Sequence, residues 1–134
     1  MIDIENELFD ACVTAVEAQY PGIVATSKNL NAPAEFPAIS IVESNNTTDE
    51  NRRDSSGVER GSILTYDIKV FSNLREGAKA QAKNIAQLAD AFMVANNFRR
   101  TFYVQGETTN DSSVYQVSTR YIAGVTDTGR LYRR

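Results

Sequence analysis

The sequence predicts a single α+β domain, in which two helices cover one face of a mostly antiparallel or mixed β-sheet. Apolar residues recur with helical spacing in residues 3–20 and again from about residue 73 to residue 95. Apolar and polar residues instead alternate, as in half-buried strands, in residues 38–43, 63–71, 98–105 and 114–124. The 134 residues suit one domain, and neither an internal repeat nor a second core is visible, so the domain spans residues 1–134.

The first helix carries its apolar residues at i, i+4 spacing: Ile4, Leu8, Cys12 and Val16. Pro21 and Gly22 then end it, because proline lacks an amide hydrogen and glycine accepts the turn. Cys12 lies within the apolar stripe, so we expect it to fill the core rather than act as a nucleophile.

The second helix has start and stop signals of its own. Asn73 followed by Glu76 resembles a capping box and predicts the start of the helix. Asn96 and Asn97 predict its end, because asparagine tolerates the left-handed conformation better than any residue except glycine.

Residues 44–61 separate two predicted strands and are unusually polar. Among these eighteen residues only Val58 is strongly apolar. They form either a long polar loop or the two arms of an extended hairpin, and the sequence does not choose between them. A short strand at residues 23–26 and another at residues 130–134 complete the predicted sheet.

Composition argues against an enzyme. The chain has no histidine and one cysteine, which excludes Ser-His-Asp sites, Cys-His sites and zinc held by histidine. The paired carboxylates Asp49, Glu50 and Asp54 lie in the polar segment, where we expect nothing to desolvate them. We therefore predict no catalytic residue, no metal and no cofactor.

Charge is unevenly distributed along the chain. Residues 1–20 hold five acids and neither lysine nor arginine, whereas residues 99–134 hold six arginines against three acids. Such ends can attract each other within one molecule or between neighbouring copies. The acidic start also differs from a secretory leader, and no apolar stretch approaches the ~20 residues that span a bilayer, so we expect a cytoplasmic protein without a membrane partner.

One alternative from another functional class is a small module that binds single-stranded nucleic acid. Phe98, Arg99, Arg100 and Tyr103 give a basic and aromatic strand on which bases could stack. The net charge of −3 opposes this interpretation. Aromatic residues that alternate along a strand are more often part of the core, and we expect that of Phe98, Phe102 and Tyr103.

Several short motifs, taken in order, resemble one known family. They are Phe36-Pro37-Ala38, Asp54-Ser55-Ser56 with Glu59 before Leu64-Thr65-Tyr66-Asp67-Ile68, Ser72-Asn73 leading to Gly77-Ala78-Lys79-Ala80-Gln81-Ala82, Phe98-Arg99-Arg100, Arg120-Tyr121 and Leu131-Tyr132-Arg133-Arg134. Together they resemble the small minor capsid or tail-terminator-like proteins of tailed bacteriophages and prophages. The resemblance runs from about residue 8 to the end of the chain.

The resemblance implies a structural protein of the virion, assembled in the cytoplasm of the bacterial host. Tail terminators have an α+β fold and form a homo-oligomeric ring, typically a hexamer, on the last ring of the tail-tube protein. They stop tail growth and join the tail to the head connector. The resemblance therefore implies two protein partners, the tail-tube protein and the connector or neck protein, and DNA that passes through the lumen without specific binding. A neck or head-completion protein of the same fold is the alternative.

We assign the subunit or partner interface to the polar segment and to the arginine-rich end of the chain. The candidate residues are Arg52, Arg53, Asp54, Glu59, Arg60, Arg99, Arg100, Arg130, Tyr132, Arg133 and Arg134. Arginine and tyrosine are favoured at interfaces because they combine apolar area with directed hydrogen bonds.

Overall fold

The computed structural model describes residues 1–52, 60–108 and 111–134. In chain order its elements are α1 (Glu5–Glu17), β1 (Val24–Thr26), β2 (Ala38–Thr48), a short 3₁₀ helix (Glu50–Arg52), β3 (Gly61–Ser72), α2 (Ala78–Ala95), β4 (Arg99–Glu107), β5 (Tyr115–Thr126) and β6 (Leu131–Tyr132). Two α-helices and a six-stranded mixed sheet confirm the predicted α+β class.

The sheet has the strand order β1-β2-β3-β5-β4, and β6 pairs with the end of β5. β1 runs parallel to β2, and every other pair is antiparallel. Helix α2 connects β3 to the far edge of the sheet, and β5 then returns between β3 and β4. As a result β5 has a neighbour on each side, whereas β4 forms one edge.

One face of the sheet forms the core beneath both helices. The predicted alternation in β3 is confirmed, because Leu64, Tyr66, Ile68 and Val70 are at most 1% exposed. The ring of Tyr66 packs edge-to-face on Phe98, with 5.6 Å between centroids. An aromatic pair of this geometry contributes about 1 kcal/mol of stability beyond the contribution of the apolar area that it buries.

Cys12 lies in the same core, as expected. It is fully buried, and burial raises the pKa of its thiol to about 12. The thiolate that a nucleophile needs is therefore strongly disfavoured.

The predicted stop of the second helix is confirmed, but its predicted start is wrong. Asn97 takes the left-handed conformation, with φ of 70°, directly after α2. At the other end the helix begins after Gly77, whose φ is 92°, and no side chain caps it. Residues 75–77 form a turn, so the pair Asn73 and Glu76 lies before the helix.

The polar segment begins as part of a hairpin. β2 continues to Thr48 and pairs with β3 up to the partners Thr48 and Ser62, with a bulge between Glu43 and Asn45. Residues 44–48 therefore form one arm of an extended hairpin. Residues 53–59 of the same segment lie outside the described residues.

Neither helix in the described part of the chain combines the length and apolar character needed to cross a bilayer.

Candidate assembly surface

A buried carboxylate holds the end of the chain against the base of the β2–β3 hairpin. Asp49, which follows β2, is only 1% exposed, and its backbone amide donates to the carbonyl of Gly61 at 2.9 Å. The hydroxyl of Tyr132 donates to Oδ2 of Asp49 at 2.6 Å, and Nη2 of Arg134 donates to Oδ1 at 3.0 Å. We call Asp49, Tyr132 and Arg134 the clasp.

The clasp compensates for the burial of its carboxylate. Burial alone would raise the pKa of Asp49, but the hydrogen bonds from Tyr132 and the Asn51 amide, together with the charge of Arg134, lower it below its ordinary value. The carboxylate therefore stays ionised at neutral pH. The expectation that nothing desolvates this acid is wrong, because the closing strand β6 covers the hairpin base.

The backbone around the clasp fits it closely. A Cβ on Gly124 would overlap the ring of Tyr132, so a larger residue there would displace that ring from its place in the clasp. Nε of Arg99 donates to the carbonyl of Arg134 at 3.2 Å, and Nδ2 of Asn97 donates to that of Leu131 at 3.2 Å. The last residues are thus fixed to β4, β5 and the hairpin.

Arginines from distant parts of the sequence gather at this end of the sheet. We call Arg60, Arg99, Arg130, Arg133 and Arg134 the arginine end. Nη1 of Arg60 lies 3.0 Å from Oδ2 of Asp127, in the turn that leads to β6. The residues Arg130 and Arg133 are exposed. The structure therefore brings together five of the residues that the sequence assigned to an interface.

Arg100 differs from its neighbour Arg99, because it faces α2. Its Nη1 lies 3.0 Å from Oδ1 of Asp90, which also accepts a 2.8 Å hydrogen bond from the hydroxyl of Tyr121. Its guanidinium carbon lies 5.7 Å from the centre of the Tyr103 ring. Arg100 is thus engaged within the chain, along a cleft of about 320 Å³.

The acids at the start of the chain begin close to the arginine end and follow α1 away from it. Asp3 precedes α1, and Glu7, Asp10 and Glu17 are exposed along it. A Cβ on Gly129, in the turn before β6, would lie 3.7 Å from the Ile4 side chain, whereas Tyr20, beyond the other end of α1, accepts a 2.6 Å hydrogen bond from Asn84.

α1 packs beside α2, and its start reaches β2, where Nδ2 of Asn46 donates to the carbonyl of Ile2 at 2.8 Å. α2 lies over β3, β5 and β4. α1 is therefore displaced toward β2, away from the edge strand β4.

β4 exposes apolar side chains that the sequence predicted to be buried. Phe102, Tyr103 and Val104 are 47%, 41% and 52% exposed, whereas Phe98 is fully buried. The prediction is wrong for Phe102 and Tyr103 because β4 is an edge strand that a bulge at Thr101 turns out of register. Among the described residues no strand pairs with its outer edge.

The bulge decides which way these side chains point. Arg100 pairs with Tyr121 on the helix side, but Phe102 pairs with Arg120 on the open side of the sheet. Tyr103 therefore points toward the helices, and Phe102 and Val104 point away from them. Because Phe98 is in the core, the basic and aromatic set proposed for nucleic-acid stacking is not presented on one surface.

The open face of the sheet is a shallow polar groove of about 500 Å³. Its charged groups already have partners within the chain. Nε of Arg120 lies 2.7 Å from Oδ1 of Asp67, and Nζ of Lys69 donates to Oδ1 of Asn29 at 2.9 Å. In the described ranges no three His, Cys, Asp or Glu side chains are grouped so as to hold a metal ion.

The remaining predicted interface residues lie between β2 and β3 in the sequence. Arg52 ends the short 3₁₀ helix, and Arg53, Asp54 and Glu59 lie outside the described residues. Sequence reasoning considered Asp49 only as a solvated carboxylate and did not single out Gly124. The sequence signals for these two residues were indirect. A glycine inside an apolar strand often marks a place where another group packs closely against the backbone, and an acid between two strand arms can be buried there if it has partners.

No family model matches this sequence, and no curated protein matches it. Among solved structures 26 chains match. One of them shares 15% sequence identity with a TM-score of 0.51, covering 90% of this chain and 94% of its own length. Its name carries no functional information, and at this identity the likeness shows the fold alone.

Proposed function

We propose that this chain is a bacteriophage structural protein that forms a homo-oligomeric ring, caps the tail tube, terminates tail growth and joins the tail to the head connector. The role at the phage tail in this proposal rests on the motif resemblance to tail-terminator-like proteins. The α+β fold agrees with the fold that the resemblance implies.

The observation that supports the ring is the distribution of charge on the folded surface, with exposed arginines at one end of the sheet and exposed acids along α1. Arg130 and Arg133 are exposed at the arginine end, and α1, which starts beside that end and leads away from it, exposes Glu7, Asp10 and Glu17 with no lysine or arginine in residues 1–20. A head-to-tail contact joins two different surfaces of one chain and closes into a ring when its rotation is right. Surfaces of opposite charge favour such a contact and fix its register.

The clasp supports the same proposal. A side chain that takes part in an interface binds better when it is already ordered, because less conformational entropy is lost on binding. The anchoring of Tyr132 and Arg134 to Asp49 orders the chain on both sides of Arg133. A neck or head-completion protein would use the same surfaces and is the second candidate.

The test is electron microscopy and native mass spectrometry of the purified protein, alone and co-expressed with the tail-tube protein of the same phage. We expect closed rings of tube width, or capped tubes of uniform length. We expect the charge reversal Arg130→Glu/Arg133→Glu to abolish them. Adding Glu7→Arg/Asp10→Arg should restore assembly, because the two surfaces become complementary again.

The matched control is Arg75→Glu/Lys79→Glu, which makes the same change of charge at two exposed positions, one in the turn before α2 and one in its first turn. Rings that survive the reversal at Arg130 and Arg133 would contradict the assigned surface. A wild-type protein that forms no ring and caps no tube would contradict the function itself.

A further inference from the structure

The edge strand β4 is only partly protected against pairing with another strand. Natural sheets protect their edges with charges, bulges or very short strands. The opposite edge, β1, has only three residues. The start of β4 carries Arg99, Arg100 and the bulge at Thr101, but residues 102–105 carry no charge at all.

The unprotected part of β4 is also its apolar part. Phe102 and Val104 are each about half exposed on the open face, and Tyr103 between them is exposed on the helix side. Neighbouring exposed apolar side chains on an unpaired strand favour the addition of a further strand, because backbone hydrogen bonds and side-chain burial are then gained together.

The sequence of β4 is complementary to itself when the strand is reversed. Tyr103 is its central residue, with Phe102 and Val104 on either side and charges of opposite sign at the two ends. Arg99 begins the strand beside Arg134, and Glu107 ends it, followed by the exposed Asp111. An antiparallel partner would therefore meet opposite charge at both ends, whereas a parallel copy would meet like charge.

We propose that two copies of this chain associate through β4, antiparallel and about a two-fold axis at Tyr103. Phe102 then lies opposite the partner's Val104 on the open face, and Tyr103 lies opposite the partner's Tyr103 on the helix face. Directly opposed side chains on one face of an antiparallel pair are in contact, and aromatic and β-branched pairs are favourable there. The two sheets become one continuous sheet.

This contact is isologous, so it differs from the head-to-tail contact of a ring and does not depend on it. β4 is the side edge of the sheet, whereas Arg130 and Arg133 lie near its end. If the proposed ring also forms and the two-fold axis is perpendicular to the ring axis, the two contacts together give a dihedral assembly with an even number of copies.

Opposite charges placed at the two-fold axis test the proposal. Tyr103→Lys and Tyr103→Glu each put like charges opposite each other in a homodimer, but an equimolar mixture puts opposite charges there. By sedimentation equilibrium we expect the wild type to dimerise reversibly and each variant to dimerise at least about tenfold more weakly. The mixture should recover a heterodimer, which native mass spectrometry identifies from the two masses.

The matched control is Val94→Lys, which adds the same charge at an exposed apolar position on α2, and it should dimerise like the wild type. Tyr103→Cys gives a second measurement that does not rely on charge. Two thiols at the axis should form an intermolecular disulfide on mild oxidation, whereas Val94→Cys should not, and the buried Cys12 does not compete.

A wild type that is monomeric at every concentration would overturn the proposal. So would a Tyr103→Lys variant that dimerises like the wild type, or a mixture with no more dimer than its components. Dimers without rings would contradict only the proposed function, and rings without dimers would contradict only this contact.

Discussion

The arginine end and the edge strand β4 adjoin each other, but their side chains differ in an unexpected way: polar groups are buried at the first, and apolar groups are exposed on the second. At the arginine end a polar stretch of sequence is largely bonded within the chain, with Asp49 buried beneath Tyr132 and Arg134. On β4 an apolar stretch is exposed, with Phe102 and Val104 about half accessible. Polarity of sequence therefore did not indicate which side chains are available to a partner. Position in the sheet decided it.

The largest effect on stability should come from the clasp. Replacing Asp49 with alanine removes two side-chain hydrogen bonds to a buried charge, and we expect the free energy of unfolding to fall by about 2–3 kcal/mol. Urea denaturation measures it. Tyr132→Phe removes one of these bonds and should cost about 1 kcal/mol.

The control for the clasp is Asp127→Ala, which removes an ion pair whose Arg60 side chain is 53% exposed. Exposed pairs contribute little, so this variant should lose less than about 1 kcal/mol. Equal losses for Asp49→Ala and Asp127→Ala would mean that the clasp is no stronger than a surface ion pair.

Lowering the pH should gradually reduce the contribution of the clasp to the free energy of unfolding. The pKa of Asp49 is lower in the folded chain than in the unfolded chain, so its contribution is complete above the unfolded value, about pH 4, and is lost as the pH falls through the folded value. The difference in unfolding free energy between wild type and Asp49→Asn should therefore shrink on acidification. A difference that stays constant with pH would exclude ionisation of Asp49 as its cause.

Glu43 supplies an internal contrast with the opposite sign. Burial, together with the negative charges of Glu5 and Asp3, raises the pKa of its carboxyl, although the hydroxyl of Tyr66 donates to it at 3.1 Å. An acid with a raised folded pKa opposes folding when ionised, and this cost is relieved as the pH falls. Glu43→Gln should therefore change the acid dependence in the opposite direction to Asp49→Asn.

The smallest effect on stability should come from β4. In Phe102→Ser/Val104→Ser both side chains are already about half exposed, so the unfolding free energy of the monomer should change by less than about 1 kcal/mol. The same variant should weaken dimerisation clearly. A large loss of monomer stability would show that these side chains support the fold instead of an interface.

Local patterns predicted most of the fold because each element carries its own signal. The apolar spacing of α1, the alternation of β3 and the left-handed Asn97 are all properties of a few consecutive residues. The start of α2 was misplaced because the left-handed turn at Gly77 competes with the capping pair upstream. In that case glycine was the stronger local signal.

The candidate site was predicted only in part because its partners are distant in sequence. The arginines were visible, but Asp49 and Arg134 are 85 residues apart, and only the pairing of β6 with β5 brings them together. The exposure of Phe102 likewise depends on β4 being the last strand of the sheet. Strand order is a property of the whole chain, and no pattern within β4 encodes it.

The bulge at Thr101 decides which side chains of β4 lie on the open face of the sheet. Deleting Thr101 would place Phe102 directly after Arg100, so simple alternation would still put Phe102 and Val104 on the open face and Tyr103 toward α2. Regular pairing of the same residues without the bulge would instead put Thr101 on the open face and turn Phe102 and Val104 toward α2. The apolar edge of β4 therefore depends on the backbone conformation at one residue, and a strand of identical sequence would present different side chains if that residue were paired regularly.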